Sequence, residues 1–169
     1  MAAIILEPVS TQSQIDTLCA IAKTVWHETY DDLLPPGQPD YMIEKFQSDH
    51  AVKEQMAREN YRYVLAKLGE AYVGFVGYAP RYQGQEEMYL SKAYILPQGR
   101  GQGVVGALFR LVEEETKKEG LSRVRLTVNK GNAHAKAVYE HYGYRTVEAV
   151  QSDIGGGYVM DDYVMGKEL

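Results

Sequence analysis

Apolar positions along this chain alternate between two rhythms, one of about two residues and one of about 3.6, the periods of strands and helices. A short apolar run at residues 3–6, closed by Pro8, reads as a strand. Ile15, Leu18, Cys19, Ala22, Val25 and Trp26 then share one helical face, and Ser10 or Ser13 is placed to cap that helix. Residues 33–39 carry three prolines and end it. A second helical region is expected over residues 40–60, with Tyr41, Ile43, Phe46, Val52 and Met56 inward and an interruption near Ser48. Residues 61–67 and 71–78 read as strands joined by a hairpin turn at Leu68-Gly69-Glu70, followed by a polar connection at residues 81–86. A strand over residues 88–96 leads into a helix that Gly120 stops after Glu119. Val124, Leu126 and Val128 alternate with polar neighbours, a short helix over residues 133–142 is closed by Gly143, and residues 144–150 and 158–165 are the last two strands. Ile154-Gly155-Gly156-Gly157 between them is expected to be a flexible tip. The predicted order is β-α-α-β-β-β-α-β-α-β-β.

The strand over residues 88–96 runs straight into a glycine cluster. Pro97 cannot donate to a sheet ladder and marks the strand's end, and Gly99, Gly101 and Gly103 follow within five residues. Beyond them Val104, Ala107, Leu108, Leu111 and Val112 return to helical spacing. Strand, glycine turn and helix in this order make an anion site. Glycines let the backbone turn tightly and approach a ligand, and the first helical turn offers free N–H groups at the positive end of the helix dipole. A phosphate-bearing ligand is expected there. Gly101-x-Gly103-x-x-Gly106 also satisfies the dinucleotide fingerprint, but the acidic residue that should end the next strand is replaced by Asn129 and Lys130. A structural turn without a ligand is the plain alternative, since glycine clusters mostly mark turns.

Composition narrows the function classes. The 169 residues suit one domain, expected over residues 1–169, with a sizeable core. Apolar residues make up 45% and charged residues 24%, ordinary globular values. A net charge of -5 argues against a dedicated nucleic-acid binder. The single cysteine, Cys19, excludes an intramolecular disulfide, and its place on an apolar helix face reads as a buried structural thiol. No stretch approaches the ~18 apolar residues of a membrane span, and the opening residues lack a basic region ahead of a long apolar one. A soluble, cytoplasmic protein with no nucleic-acid or membrane partner is expected.

Two blocks carry a family resemblance. Gln98-x-x-Gly101-x-Gly103 matches the Gln/Arg-x-x-Gly-x-Gly/Ala signature of the GNAT superfamily of N-acetyltransferases. Asn132-x-x-Ala135-x-x-x-Tyr139-x-x-x-Gly143-Tyr144 resembles that family's Asn-x-x-Ala-x-x-x-Tyr-x-x-x-Gly-Phe segment, with Tyr144 in place of the commoner Phe. The resemblance implies an α/β fold with a central mixed sheet of about seven strands and about four helices on its two faces. Its fourth and fifth strands, here residues 88–96 and 123–128, would splay to admit acetyl-coenzyme A. It further implies acetyl transfer from acetyl-coenzyme A, as a co-substrate and without a metal, to a primary amine of a small molecule or peptide. Backbone groups of Tyr94, Ile95 and Leu96 would pair with the pantetheine arm. Gln98, Gly99, Arg100, Gly101, Gln102, Gly103 and Val104 would hold the pyrophosphate, with Asn132 and Lys136 as further contacts. Tyr139 matches the family's general-acid position. A phenol with a reference pKa of about 10 keeps its proton at pH 7 and can give it to a thiolate whose acid lies near 8.5. Dimers are common in the family, so a homodimer is admitted, although no stretch marks an interface.

The acceptor amine must lose a proton before it attacks, and Glu28, His27, Glu86 and Glu87 are the candidate bases. None sits in a motif, and each reads more readily as a surface charge than as a base. His134 and His141 have no metal-ligand spacing. In the family the acceptor side is shaped by the segments that correspond to residues 30–41 and 151–158. Asp31, Asp32, Asp153, Asp161 and Asp162 lie near them, and a carboxylate-rich mouth attracts a cation such as a polyamine or a lysine side chain. The run Val25-Trp26-His27-Glu28-Thr29-Tyr30-Asp31-Asp32 loosely resembles polyamine-acetylating members. The competing readings are a sensor domain that binds acetyl-coenzyme A without catalysis, which has no need of an acid at Tyr139, and a dinucleotide-binding module.

Overall fold

A single seven-stranded sheet organises the chain, in the order β1-β2-β3-β4-β5-β7-β6. The computed structural model describes residues 2–169, so the domain expected over residues 1–169 begins one residue outside the described part. The strands are β1 (Ile4–Pro8), β2 (Arg62–Leu68), β3 (Ala71–Pro80), β4 (Met88–Ile95), β5 (Arg123–Asn129), β6 (Arg145–Gly155) and β7 (Tyr158–Glu168). The helices are α1 (Gln12–Tyr30), α2 (Gln38–Phe46), α3 (Asp49–Arg58), α4 (Val104–Lys118) and α5 (Ala133–His141). All neighbouring strands are antiparallel except β4 and β5.

Each face of the sheet buries its own cluster. Val104, Leu108, Phe109 and Val112 of α4 pack on Val64, Val76, Leu90 and Leu126. On the other face Ile15, Leu18, Ala22 and Val25 of α1 and Val52 of α3 pack on Leu65, Phe75 and Ala79. A third cluster of Trp26, Met42 and Ile154 joins the ends of α1, α2 and the β6–β7 hairpin.

Several local expectations are corrected. Thr11, not Ser10 or Ser13, caps α1, because Thr11 and Gln14 satisfy each other's backbone N–H groups in a capping box. Pro39 lies inside the first turn of α2, where a missing N–H costs nothing. Met42, rather than its neighbours Tyr41 and Ile43, is the buried member of that trio in α2. The interruption near Ser48 is a true helix boundary, since Ser48 accepts the Ala51 N–H and starts α3. Cys19 is only half-buried. The Ile154–Gly157 tip is tied down on both sides of its exposed glycines, at Ile154 and Val159. Tyr41 donates to the Ile154 carbonyl at 2.8 Å, Lys45 reaches the same oxygen, and the buried Gln38 donates to the Val159 carbonyl at 3.0 Å. Three side chains of one short helix thus fasten the hairpin over the open side of the sheet.

Candidate active site

β4 and β5 pair only at their starts. Met88 faces Val124 and Tyr89 faces Arg125, and no further pair follows although β4 runs to Ile95 and β5 to Asn129. β4 also carries one residue more than β3 beside it. Gly77 faces Lys92 and Tyr78 faces Leu90, so Ser91 is an unpaired extra residue. A bulge bends the strand that carries it and increases its twist. Beyond the bulge the β5-facing edge of β4 has no strand partner, and such an edge presents free backbone donors and acceptors. The bulge also resets the alternation of side chains. Met88 and Leu90 before it, and Ala93 and Ile95 after it, share the α4 face, whereas Lys92 and Tyr94 turn to the α1 and α3 face.

The wedge opens into a cavity of about 990 Å³. One end is the glycine loop. Gly101 and Gly103 adopt left-handed φ angles of +73° and +84°, and Gly103 is the N-cap of α4 with no side-chain cap. The first N–H groups of a 15-residue helix are therefore unclaimed by any capping side chain. A Cβ on Gly101 would meet nothing within 4 Å, whereas one on Gly99 would lie 2.7 Å from Val73 Cβ. Gly99 is thus a packing residue, while Gly101 and Gly103 shape the loop. The first half of the signature recurs two residues later as Arg100-x-x-Gly103, with Val105 where the signature has Gly or Ala, and that pair stands at the helix start.

The expected site residues divide. Tyr94, Ile95, Gly99, Arg100, Gly101, Gly103, Val104, Asn132 and Tyr139 line the cavity. Leu96, Gln98, Gln102 and Lys136 do not. Leu96 gives its N–H to Val73 at 2.7 Å and its carbonyl accepts from Gly99 at 2.9 Å, so its backbone is already engaged. Gln102 donates to the Gln98 carbonyl at 2.8 Å across the exposed loop. Lys136 pairs with Glu140 at 3.3 Å. Arg100 donates to the Ile95 carbonyl at 3.1 Å and forms an ion pair with Glu28, which ties the loop to α1.

Asn132 caps α5 by accepting the Ala135 N–H at 3.2 Å and donates to the Tyr30 hydroxyl at 3.3 Å. That second bond links α5 to the end of α1 across the wedge. Tyr139 packs on Phe109, with ring centroids 5.7 Å apart, and on Tyr144 at 5.8 Å. Burial raises its pKa well above that of a free phenol, with Tyr30 and Tyr89 adding to the effect. Such a group holds its proton at neutral pH. Tyr94 is fixed from both sides, accepting from Trp26 at 2.9 Å and Gln47 at 3.2 Å.

Among the candidate bases, Glu28 lines the cavity but is held by Arg100. His27 lies between Asp31 at 2.8 Å and Asp40 at 3.3 Å. Glu86 pairs with Arg81 at 3.5 Å, and Glu87 pairs with Arg125 at 2.9 Å beside a separate groove. The mouth carboxylates do not converge either. Asp31 is taken by His27, Asp161 pairs with Lys130 at 2.9 Å, Asp153 accepts the Gly155 N–H at 2.8 Å, and Asp32 is exposed; only Asp162 reaches the cavity wall.

One titratable wall group, Lys92, escaped the sequence reading, and a second, Asp162, entered it only as one of the mouth carboxylates. Lys92 is 4% exposed and donates to the Phe46 carbonyl at 2.5 Å and Gln55 Oε1 at 3.0 Å. Burial lowers its pKa from 10.5 to about 7, with Cys19 and Glu59 opposing. Asp162 is 5% exposed, and burial followed by repulsion from Asp161 raises its pKa from 3.8 to about 6. Both stand on the apolar phase of their strands, Lys92 two residues after Leu90 and Asp162 between Met160 and Val164. A charge on that phase was the available signal. Among the described residues no group of three or more His, Cys, Asp or Glu could hold a metal ion, and no helix is long and apolar enough to cross a membrane.

A mixed sheet that opens between two parallel strands, with a helix N-terminus at the opening, is a ligand-binding α/β architecture. The model of the acetyltransferase (GNAT) family matches residues 25–144, and the chain belongs to that family. Uncharacterised N-acetyltransferases of Mycobacterium tuberculosis and Mycobacterium bovis are 35% identical over 95 residues, 56% of this chain and 60% of theirs. The match thus spans less than two thirds of those relatives' length. The PaiA N-acetyltransferase of Thermoplasma acidophilum, solved in complex with coenzyme A, superposes with a TM-score of 0.79 over 99% of each chain at 19% identity. A GCN5-related N-acetyltransferase from Rhodopseudomonas palustris gives 0.81 over 100% of this chain and 98% of that one at 16% identity. A GNAT family acetyltransferase from Elizabethkingia anophelis with acetyl-CoA bound gives 0.65 over 98% of each chain at 14% identity. These likenesses show the shared fold, including its mixed sheet.

Proposed function

We propose that this protein transfers the acetyl group of acetyl-coenzyme A to a primary amine of a small molecule or peptide. One observation carries the reading: the uncapped start of α4, the free edge of β4 and Tyr139 all border a single 990 Å³ cavity. The fit to the co-substrate is chemical. The unclaimed N–H groups at Val104 and beyond, with the Gly101–Gly103 backbone, suit a pyrophosphate. The unpaired edge of β4 around Tyr94 and Ile95, where only the Ile95 carbonyl is taken by Arg100, suits an amide-bearing arm laid alongside it. Two fold relatives were solved with coenzyme A or its acetyl form, which supports the assignment. Acetyl-coenzyme A supplies the acyl carbon. This chain's residues hold it, exclude water and supply a proton to the departing sulfur from the Tyr139 hydroxyl. The polyamine version of the acceptor loses its motive, because four of the five mouth carboxylates are engaged or turned away from the cavity.

The test is release of free thiol from acetyl-coenzyme A against polyamines, amino acids, aminoglycosides, aryl-alkylamines and lysine peptides. Release with one amine class is the expected result. Tight coenzyme binding with no release from any amine would move the protein to the sensor reading.

A further inference from the structure

Asp162 is a buried carboxylate on the cavity wall. It lies on β7 opposite Asn129, the last residue of β5, and so stands where the wedge is widest. Its Oδ1 is buried and has no hydrogen-bond partner. An orphaned polar atom of this kind is costly, more so when charged, and calls for an explanation such as a bound group or a catalytic role. The other carboxylates of the cavity wall are occupied. Glu28 is held by Arg100, Glu54 lies 3.2 Å from Arg58, and Glu59 accepts from Tyr82 at 3.5 Å. The wall imidazoles, His50 and His134, are solvent-exposed. The groups that face Asp162 are Asp161 on its own strand, Lys130 from the turn after β5 and Tyr30 from α1. Lys130 is already committed to Asp161 and leaves Asp162 unpaired.

We propose that Asp162 receives the acceptor amine, pairing with it as an ammonium ion and taking its proton as the nitrogen attacks. The inference rests on the acetyl-transfer reading. The steps balance as follows. The ammonium gives one proton to the Asp162 carboxylate, and the freed nitrogen lone pair forms the C–N bond. The C–S bond breaks with its electrons on sulfur, which takes the Tyr139 proton. The second proton lost by nitrogen as the amide forms restores the phenol, and Asp162 returns its proton to solvent. A carboxyl group titrating near 6 is ionised at pH 7 yet more basic than an exposed aspartate, the compromise a general base requires. Trp26, Tyr30 and Met160 also line this cavity, which suits a single amine on an apolar body better than a chain of several charges.

The experiment has two arms. In the first, Asp162→Asn and Asp162→Glu are compared with wild type for amine turnover across pH 5 to 9. We expect the Asn variant to lose about 10²-fold in kcat/KM and the acidic limb near pH 6, while coenzyme A affinity measured by calorimetry is unchanged. The Glu variant should regain part of the rate. Equal turnover with the same acidic limb in Asp162→Asn would overturn the inference. The second arm reads no activity. The Asp162 carboxyl carbon is titrated by NMR in the coenzyme A complex, with and without the best amine of the panel, or phenethylamine if none turns over. The midpoint should fall by a unit or more when the ammonium binds, and an unmoved midpoint would overturn the pairing. Failure of wild type to release thiol counts against acetyl transfer itself and is distinct from either result.

Discussion

Lys92 offers a quantitative check on the interior of the wedge. Its ammonium sits on the α3 side of β4 with two neutral oxygens as acceptors, and its pKa falls from 10.5 to about 7. A depressed lysine pKa means that the unfolded chain binds the extra proton between these two values. Folding stability therefore rises with pH across that window, is fully present above 10.5 and is lost as pH falls toward 7. At 1.36 kcal/mol per pKa unit the whole effect is about 5 kcal/mol, of which about 3 kcal/mol falls between pH 7 and 9.5. Lys92→Met removes the titration and keeps most of the side-chain volume. It also strips one donor from the Phe46 carbonyl and one from Gln55 Oε1, which keep Gln55 Nε2 and the Tyr63 hydroxyl, a pH-independent cost of about 1 kcal/mol. The assay is urea unfolding of both proteins from pH 6 to 9.5. The stability difference, wild type minus variant, should grow by about 3 kcal/mol over the upper part of that range. Other groups, including the Cys19 thiol that burial pushes up to about 11, largely cancel in the difference. Parallel curves would refute the reasoning: they would mean that Lys92 stays charged in the folded protein, solvated by water in the cavity.

Two further outcomes follow from the coenzyme half of the site. Tyr139→Phe should keep its packing on Phe109 and Tyr144 and its coenzyme A affinity while lowering turnover by about 10²-fold or more, the scale of a lost general acid. Unchanged turnover would remove Tyr139 from the reaction. Gly103→Val forces a β-branched residue to a φ of +84°, so the loop should rearrange and coenzyme A affinity should fall at least tenfold by calorimetry. Equal affinity in a folded variant would mean that the loop does not hold the ligand.

Most of the element order was legible because it is written in local periodicity. α1, α4 and β5 follow directly from the spacing of Ile15 to Trp26, Val104 to Val112 and Val124 to Val128, and Gly120 and Gly143 stop their helices where positive φ is required. The glycine turn between β4 and α4 was legible, as was the start of the helix beyond Gly103, but not which of its side chains would border the cavity. The helix N-cap is Gly103, with Arg100 rather than Gln98 on the cavity wall. What the sequence could not show was non-local. The docking of Ile154 depends on Tyr41 and Lys45, more than 100 residues away. The isolation of Asp162 depends on Lys130 having taken Asp161 instead. Neither fact has a local pattern, and each is decided by which neighbour the fold happens to bring close.

The bulge at Ser91 has a consequence for how such a cleft changes over time. Without Ser91, Leu90 and Lys92 would be consecutive, and every other β4 residue would keep both its β3 partner and its face. The opening of the wedge is therefore written as a length, one residue in excess, and carries no signature in residue type. Substitution at position 91 leaves that count intact, so a lineage drifting by point mutation alone would preserve the gap while its walls diversified. A single-codon deletion would restore the regular β3 register and remove the bend that the extra residue gives β4.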